Sequence, residues 1–253
     1  MIRSLPAAAV LIFSLLLPGC TWLHPAPVPL RTIDFGISDR HYNTLLVLLP
    51  GRYDGPERFA TEGFIAEVRR RKLPVELMGV DAGLGYYYQR SLVERLHQDV
   101  IAPARQRGFQ RVWLAGISLG GWGALWYDRS RPGEVDGVIL LAPYLGEESF
   151  VAQVSSAGGA RTWQPDPGRD RDYQQELWQF VQGYGDPRAT AGRVFLGYGQ
   201  ADAFAPANAL LAELLPTEQV VTVEGGHDWA TWSQLWQRLL SHAGQSLAPE
   251  LRP

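Results

Sequence analysis

The chain alternates between two hydrophobic periods. Short apolar runs at residues 31–35, 43–49, 73–80, 112–115, 135–141, 193–198 and 219–223 read as strands. The run Thr44-Leu45-Leu46-Val47-Leu48-Leu49 is apolar almost throughout, as a central strand covered on both faces should be. Between the runs, apolar positions return at helical spacing. Residues 59–72 set Phe64, Ile65 and Val68 on one face and charges on the other. Residues 91–107 align Leu92, Val93, Leu96, Val100, Ile101 and Ala104 and stop at Gly108, and residues 120–128 form a further helix. After residue 228, Trp229, Trp232, Trp236, Leu239 and Leu240 share a stripe. Strands separated by helices of this length need right-handed crossovers, so the pattern predicts one α/β domain over residues 31–253, with a mostly parallel central sheet and helices on both faces.

Two stretches break the rhythm. Asp39-Arg40 reads as a turn between the first two strands. Residues 143–192 are rich in Gly, Ser, Pro and charge, with one helix expected near 173–181. A connection this long in a compact domain is usually functional or mobile. It reads as a lid bearing Trp163, Tyr173 and Trp178, or else as a surface excursion that never meets substrate.

The strand at 112–115 runs into Gly116-Ile117-Ser118-Leu119-Gly120-Gly121, a Gly-x-Ser-x-Gly turn that opens a helix. In that context Ser118 is the candidate nucleophile: glycines two positions to either side permit a turn sharp enough to lift the hydroxyl clear of the sheet. The other reading is a serine in a Gly-rich turn without chemistry. The strand at 193–198 delivers Asp202 ahead of a helix that Pro206 can open, as an imidazole-orienting carboxylate or as a cap. Asp166, Asp170, Asp172 and Asp186 compete from the irregular segment, which has no strand to hold them. The last strand ends in Glu224-Gly225-Gly226-His227-Asp228-Trp229. His24 lies near the N-terminus, His41 precedes a strand, and His97 and His242 sit on helices, which leaves His227 as the candidate base and Asp228 as a helix cap. Gly51 or Arg52, after the second strand, would give an oxyanion-hole N–H. Tyr86, Tyr87 and Tyr88, beyond the third strand, line a substrate pocket or pack beneath a loop.

Composition narrows the partners. A net charge of -3 and the lack of a basic stripe argue against nucleic acid, and a single cysteine allows neither an internal disulfide nor a zinc cluster. No metal or cofactor is called for. That cysteine follows a positive Met1-Ile2-Arg3 and an apolar stretch at 7–17, too short to cross a bilayer and about right for a secretory signal. Leu17-Pro18-Gly19-Cys20 resembles the lipobox of bacterial lipoproteins. The resemblance implies a signal peptide over residues 1–19, a diacylglyceryl thioether and an acylated amine (palmitate) on Cys20, and membrane attachment. Thr21 in place of aspartate implies the outer membrane, facing the periplasm. Residues 20–30, with Pro25, Pro27 and Pro29, form the tether.

The order Ser118, Asp202, His227 resembles that of the α/β-hydrolase superfamily. More narrowly the chain is similar to the esterase group that includes esterase D, feruloyl esterases and S-formylglutathione hydrolase. Gly116-Ile117-Ser118-Leu119-Gly120-Gly121, Asp81-Ala82-Gly83-Leu84-Gly85-Tyr86 and Gly225-Gly226-His227-Asp228-Trp229-Ala230-Thr231-Trp232 carry the likeness. It implies an α/β-hydrolase fold with a small cap insertion at 143–192. It makes Ser118 the nucleophile, Asp202 the acid, His227 the base and the Leu119 N–H an oxyanion donor. The expected activity is hydrolysis of small-molecule carboxylic esters through an acyl-enzyme. An acyltransferase of the same fold and a non-catalytic envelope lipoprotein are the alternatives.

Overall fold

The computed structural model describes residues 26–36, 42–166, 168 and 172–249. The signal segment, Cys20, the tether up to residue 25, the Asp39-Arg40 turn, His24, His41 and Asp170 lie outside the described residues.

Seven strands form one sheet: β1 (Thr32–Asp34), β2 (Thr44–Leu49), β3 (Val75–Val80), β4 (Arg111–Ile117), β5 (Gly137–Leu141), β6 (Val194–Gly199) and β7 (Val220–Val223). Their order is β1-β3-β2-β4-β5-β6-β7. All neighbours are parallel except β1, which runs antiparallel to β3. Alternation along each strand divides the apolar side chains between two layers. Leu45, Val47 and Leu49 of β2 enter one core, together with Val112 and Leu114 of β4. Leu46 and Leu48, with Trp113, Ala115 and Ile117, enter the other. The central strands β2 and β5 are therefore buried along their whole length because they are covered on both faces, whereas the edge strand β1 is only partly buried.

The helices are α1 (Arg58–Thr61), α2 (Phe64–Arg70), α3 (Leu84–Tyr88), α4 (Leu92–Leu96), α5 (Ala102–Gln106), α6 (Leu119–Ser130), α7 (Glu148–Ser156), α8 (Tyr173–Gln182), α9 (Pro187–Thr190), α10 (Ala205–Ala212) and α11 (Trp229–Leu247). The helix expected at 59–72 is divided in two by Gly63, whose φ of 82° places it in the left-handed region. The helix expected at 91–107 contains a π turn, His97–Ile101, between α4 and α5. Pro103 follows that turn: it has no N–H to give and its ring would crowd the carbonyl four residues back, which the wider turn relieves.

Residues 143–192 hold more structure than their composition suggests. Besides α8 they form α7, α9 and a 3-10 turn at Gly183–Gly185. The lid role expected of Trp163 and Trp178 is corrected. Both indoles are buried in the main core, Trp178 donating from Nε1 to Leu145 O at 2.8 Å and Trp163 packing edge-on to Phe150 at 5.5 Å. Only Tyr173 of the three reaches the surface. Where α6 ends and β6 begins, the buried Asp128 accepts from Arg193 Nη2 at 2.7 Å and from the Tyr184 hydroxyl at 3.0 Å.

Candidate active site

The site lies along one edge of the sheet because β4, β5, β6 and β7 are adjacent and parallel, so the loops at their carboxyl ends converge. Ser118 occupies the junction of β4 and α6 with φ 52° and ψ -114°, a conformation that costs a non-glycine residue about 1–3 kcal/mol. Backbone hydrogen bonds hold it there. Its N–H donates to Leu141 O at 2.9 Å, and its carbonyl accepts from Trp122 N at 3.1 Å and Tyr144 N at 3.0 Å. A side chain at Gly116 would collide with the backbone of Gly120 and Gly121, and one at Gly120 with the carbonyls of Leu49 and Pro50. These two glycines let the start of α6 press onto the ends of β2 and β4.

Asp202 follows β6. Its side chain is fully buried, with Oδ1 accepting from Phe204 N at 2.7 Å and Oδ2 at 2.7 Å from His227 Nδ1. The loops after β6 and β7 are stitched together by Ala201 N donating to Gly225 O at 2.9 Å. His227 Nε2 lies 2.8 Å from Ser118 Oγ. Asp228 turns away to cap α11, accepting from Thr231 N at 2.8 Å. Asp172 and Asp186 cap α8 and α9, and Asp166 accepts from Gly168 N. His97 bonds Glu134, and His242 bonds Glu218 O. The structure thus brings together Ser118, Asp202 and His227 and leaves the other described candidates elsewhere.

Gly51 is buried beside the nucleophile, where an added methyl would lie 3.7 Å from Ser118 Cβ. Its carbonyl accepts from Asp54 N at 3.2 Å, closing a turn. The Arg52 side chain points outward, stacked 4.6 Å above the Tyr53 ring, so only its backbone is available to the site. Leu119 is the first residue of α6, where an N–H has no partner within the helix. Among the described residues, no cluster of three or more His, Cys, Asp or Glu could hold a metal ion.

Comparison with known proteins bears on this geometry. The sequence model of the family described as "Putative esterase" matches residues 77–242, more than half of the chain. The chain belongs to this esterase family. Membership supports hydrolysis of small-molecule esters by a serine hydrolase. Solved structures with similar folds include a ferulic acid esterase (17% identity, TM-score 0.56, covering 83% of this chain and 87% of that one). Others are an S-formylglutathione hydrolase from Agrobacterium tumefaciens (14%, 0.56, 81% and 84%) and Est1E from Butyrivibrio proteoclasticus with ferulic acid bound (15%, 0.54, 85% and 95%). At these identities the likeness is one of α/β-hydrolase fold. No curated protein matches the chain.

Of the two readings of the esterase's tyrosine run, pocket wall or packing beneath a loop, the three residues do not share one, because each points a different way. Residues 86–88 lie on α3, and consecutive helical positions point about 100° apart. Tyr86 is buried and its hydroxyl donates to Pro27 O at 2.6 Å. Tyr87 turns toward Trp122, 5.6 Å between ring centroids, and its buried hydroxyl, whose pKa burial raises, stays protonated. Tyr88 faces solvent.

The aromatic groups around the nucleophile are instead Trp122, Tyr144 and Phe204, none of them singled out by sequence. Phe204 sits edge-on to His227 at 4.7 Å and to Tyr144 at 5.6 Å. Tyr144 shares a hydrogen bond with Tyr173 at 3.1 Å, and Tyr173 lies edge-on to Trp122 at 6.1 Å. Trp232 closes the other side of His227 at 4.9 Å. Position alone could have pointed to two of them: Trp122 is one helical turn after Ser118, and Phe204 is two residues after Asp202.

Proposed function

We propose that the protein is a serine carboxylesterase that works through an acyl-enzyme and is held at the bacterial cell envelope by a lipid on Cys20. One observation carries the chemical part: Ser118 Oγ, the His227 ring and Asp202 form a hydrogen-bonded series with steps of 2.8 and 2.7 Å. A carboxylate facing Nδ1 keeps the proton there, so Nε2 accepts the proton of Ser118 as Oγ attacks the ester carbonyl. Asp202 then stabilises the imidazolium. The N–H of Leu119 and an N–H of the Gly51–Arg52 turn donate to the oxyanion, each worth about 10²–10³ in rate. His227 returns the proton to the departing alcohol, and water activated by the same nitrogen releases the acid. Residues 143–192 act as a cap in this reading, with Tyr173 at its inner rim.

The anchoring part is supported by Leu17-Pro18-Gly19-Cys20 behind a short apolar segment. In this reading Thr21, where an aspartate would retain the protein at the inner membrane, sends the enzyme to the outer membrane, facing the periplasm. Two variants test the two parts separately. Ser118→Ala should lower hydrolysis of p-nitrophenyl acetate by about 10⁴-fold or more with the circular dichroism spectrum unchanged, and a retained rate would move the nucleophile elsewhere. Cys20→Ala should release the protein from membranes; an unaltered membrane fraction would discredit the lipid anchor.

A further inference from the structure

We infer that the end of the molecule on which Ser118 opens is also its lipid-facing surface, and that its substrates are acyl esters of amphiphiles held in a lipid layer. This rests on the Cys20 anchor proposed above and adds an orientation and a substrate class to it. Among the described residues, the exposed large apolar side chains are Val28 (71%), Tyr53 (76%), Tyr88 (69%) and, less so, Tyr173 (38%). All of them trace to the carboxyl edge of the sheet. Tyr53 lies in the turn after β2, two residues from Gly51. Tyr88 ends α3, the helix that follows β3. Tyr173 is hydrogen-bonded to Tyr144, whose N–H donates to Ser118 O. Val28 follows Pro27, whose carbonyl is held by Tyr86 of α3.

The incoming chain arrives at the same edge. Because β1 is antiparallel, Thr32 pairs with Val80, the last residue of β3, and Arg31 O accepts from Asp81 N at 2.9 Å. Leu30 N–H donates to Asp99 Oδ2 at 2.8 Å, and Arg31 bridges Asp81 and Glu57, so the segment is fixed to the domain. Six residue steps separate Cys20 from Ala26. At the ~3.3–3.6 Å reach of an extended residue, an acylated Cys20 holds this end within about 20 Å of the lipid. Exposed tyrosines suit that border, with the ring against acyl chains and the hydroxyl in water. An ester raised part-way out of the layer then meets Ser118 without crossing bulk water.

The test uses the full lipidated chain in vesicles of phosphatidylethanolamine and phosphatidylglycerol. A fluorophore on Tyr88→Cys should be quenched by nitroxide-bearing lipids, and one on Gln237→Cys, exposed on α11 across the sheet, should not. Val28→Ser combined with Tyr88→Ser should slow hydrolysis of p-nitrophenyl palmitate dissolved in the vesicles about tenfold while p-nitrophenyl acetate in water is unaffected. Equal quenching at the two positions, or an unchanged palmitate rate, with the protein on the vesicles overturns this inference alone. Protein that does not sediment with vesicles overturns the anchor and this inference with it. If the double variant fails to fold, the quenching result decides.

Discussion

Asp128 and Asp202 are both buried carboxylates bonded to a basic side chain, and they stand at opposite ends of the same strand. Arg193, just before β6, binds Asp128, and Asp202 comes just after it. At the amino end both Asp128 oxygens are engaged by Arg193, and Oδ2 also accepts from Tyr184. Burial, reinforced by the neighbouring carboxylate, pushes the Tyr184 phenol well above its usual pKa, so it remains a donor. A guanidinium cannot release its proton, so this pair is a fixed brace between α6 and β6. At the carboxyl end the partner is an imidazole, which can take and return a proton at its second nitrogen. The difference between brace and machinery therefore lies in the base, and in what the base touches next: Ser118 at one end, the peptide backbone at the other.

That contrast can be broken. The largest expected effect is at Asp202: Asp202→Asn should lower kcat on p-nitrophenyl acetate by about 10⁴-fold by favouring the wrong imidazole tautomer. A retained rate would make Asp202 a brace like Asp128. Next, Asp128→Asn should cost about 3 kcal/mol, read as a lower melting temperature, because Arg193 keeps its charge and loses its partner, with turnover per folded molecule unchanged. A slowed but equally stable enzyme would erase the distinction. The smallest effect belongs to Glu67 on α2, a largely buried carboxylate between the guanidinium groups of the exposed Arg70 and the partly buried Arg71, both at 2.6 Å. Hydrogen bonding from Arg70 outweighs desolvation and, with Arg71, holds its pKa at about 2. A depressed carboxyl pKa stabilises the fold above the ordinary value of 4.5 and loses that contribution as pH falls through about 2. Glu67→Gln should thus cost about 1 kcal/mol at neutral pH after solvent screening, and the gap to the parent protein should close in acid urea melts. A gap that persists at pH 2 would mean packing rather than charge.

The central strands were legible because they are two-sided apolar runs, which no surface segment imitates. Ser118, Asp202 and His227 were legible because each sits where a strand hands over to a loop, and parallel strands must bring such loops to one edge. What failed depended on direction rather than position. Tyr86, Tyr87 and Tyr88 look like one wall when written in a line, but α3 sends each a different way. Trp163 and Trp178 lie in a stretch whose glycines, prolines and charges hide helices, and their burial depends on Phe150 and Leu145, which periodicity did not connect to them. The rim of Trp122, Tyr144 and Phe204 escaped notice because its members come from three separate loops and helices and meet only in the folded chain.

The absent side chain of Gly120 sets the clearance between α6 and the carbonyls of Leu49 and Pro50. The nucleophile and the turn that faces it are consequently parts of a single casting, with no adjustable side chain between them to act as a shim. Change in what the site accepts would have to come from the replaceable aromatic rim, while the centre keeps its dimensions.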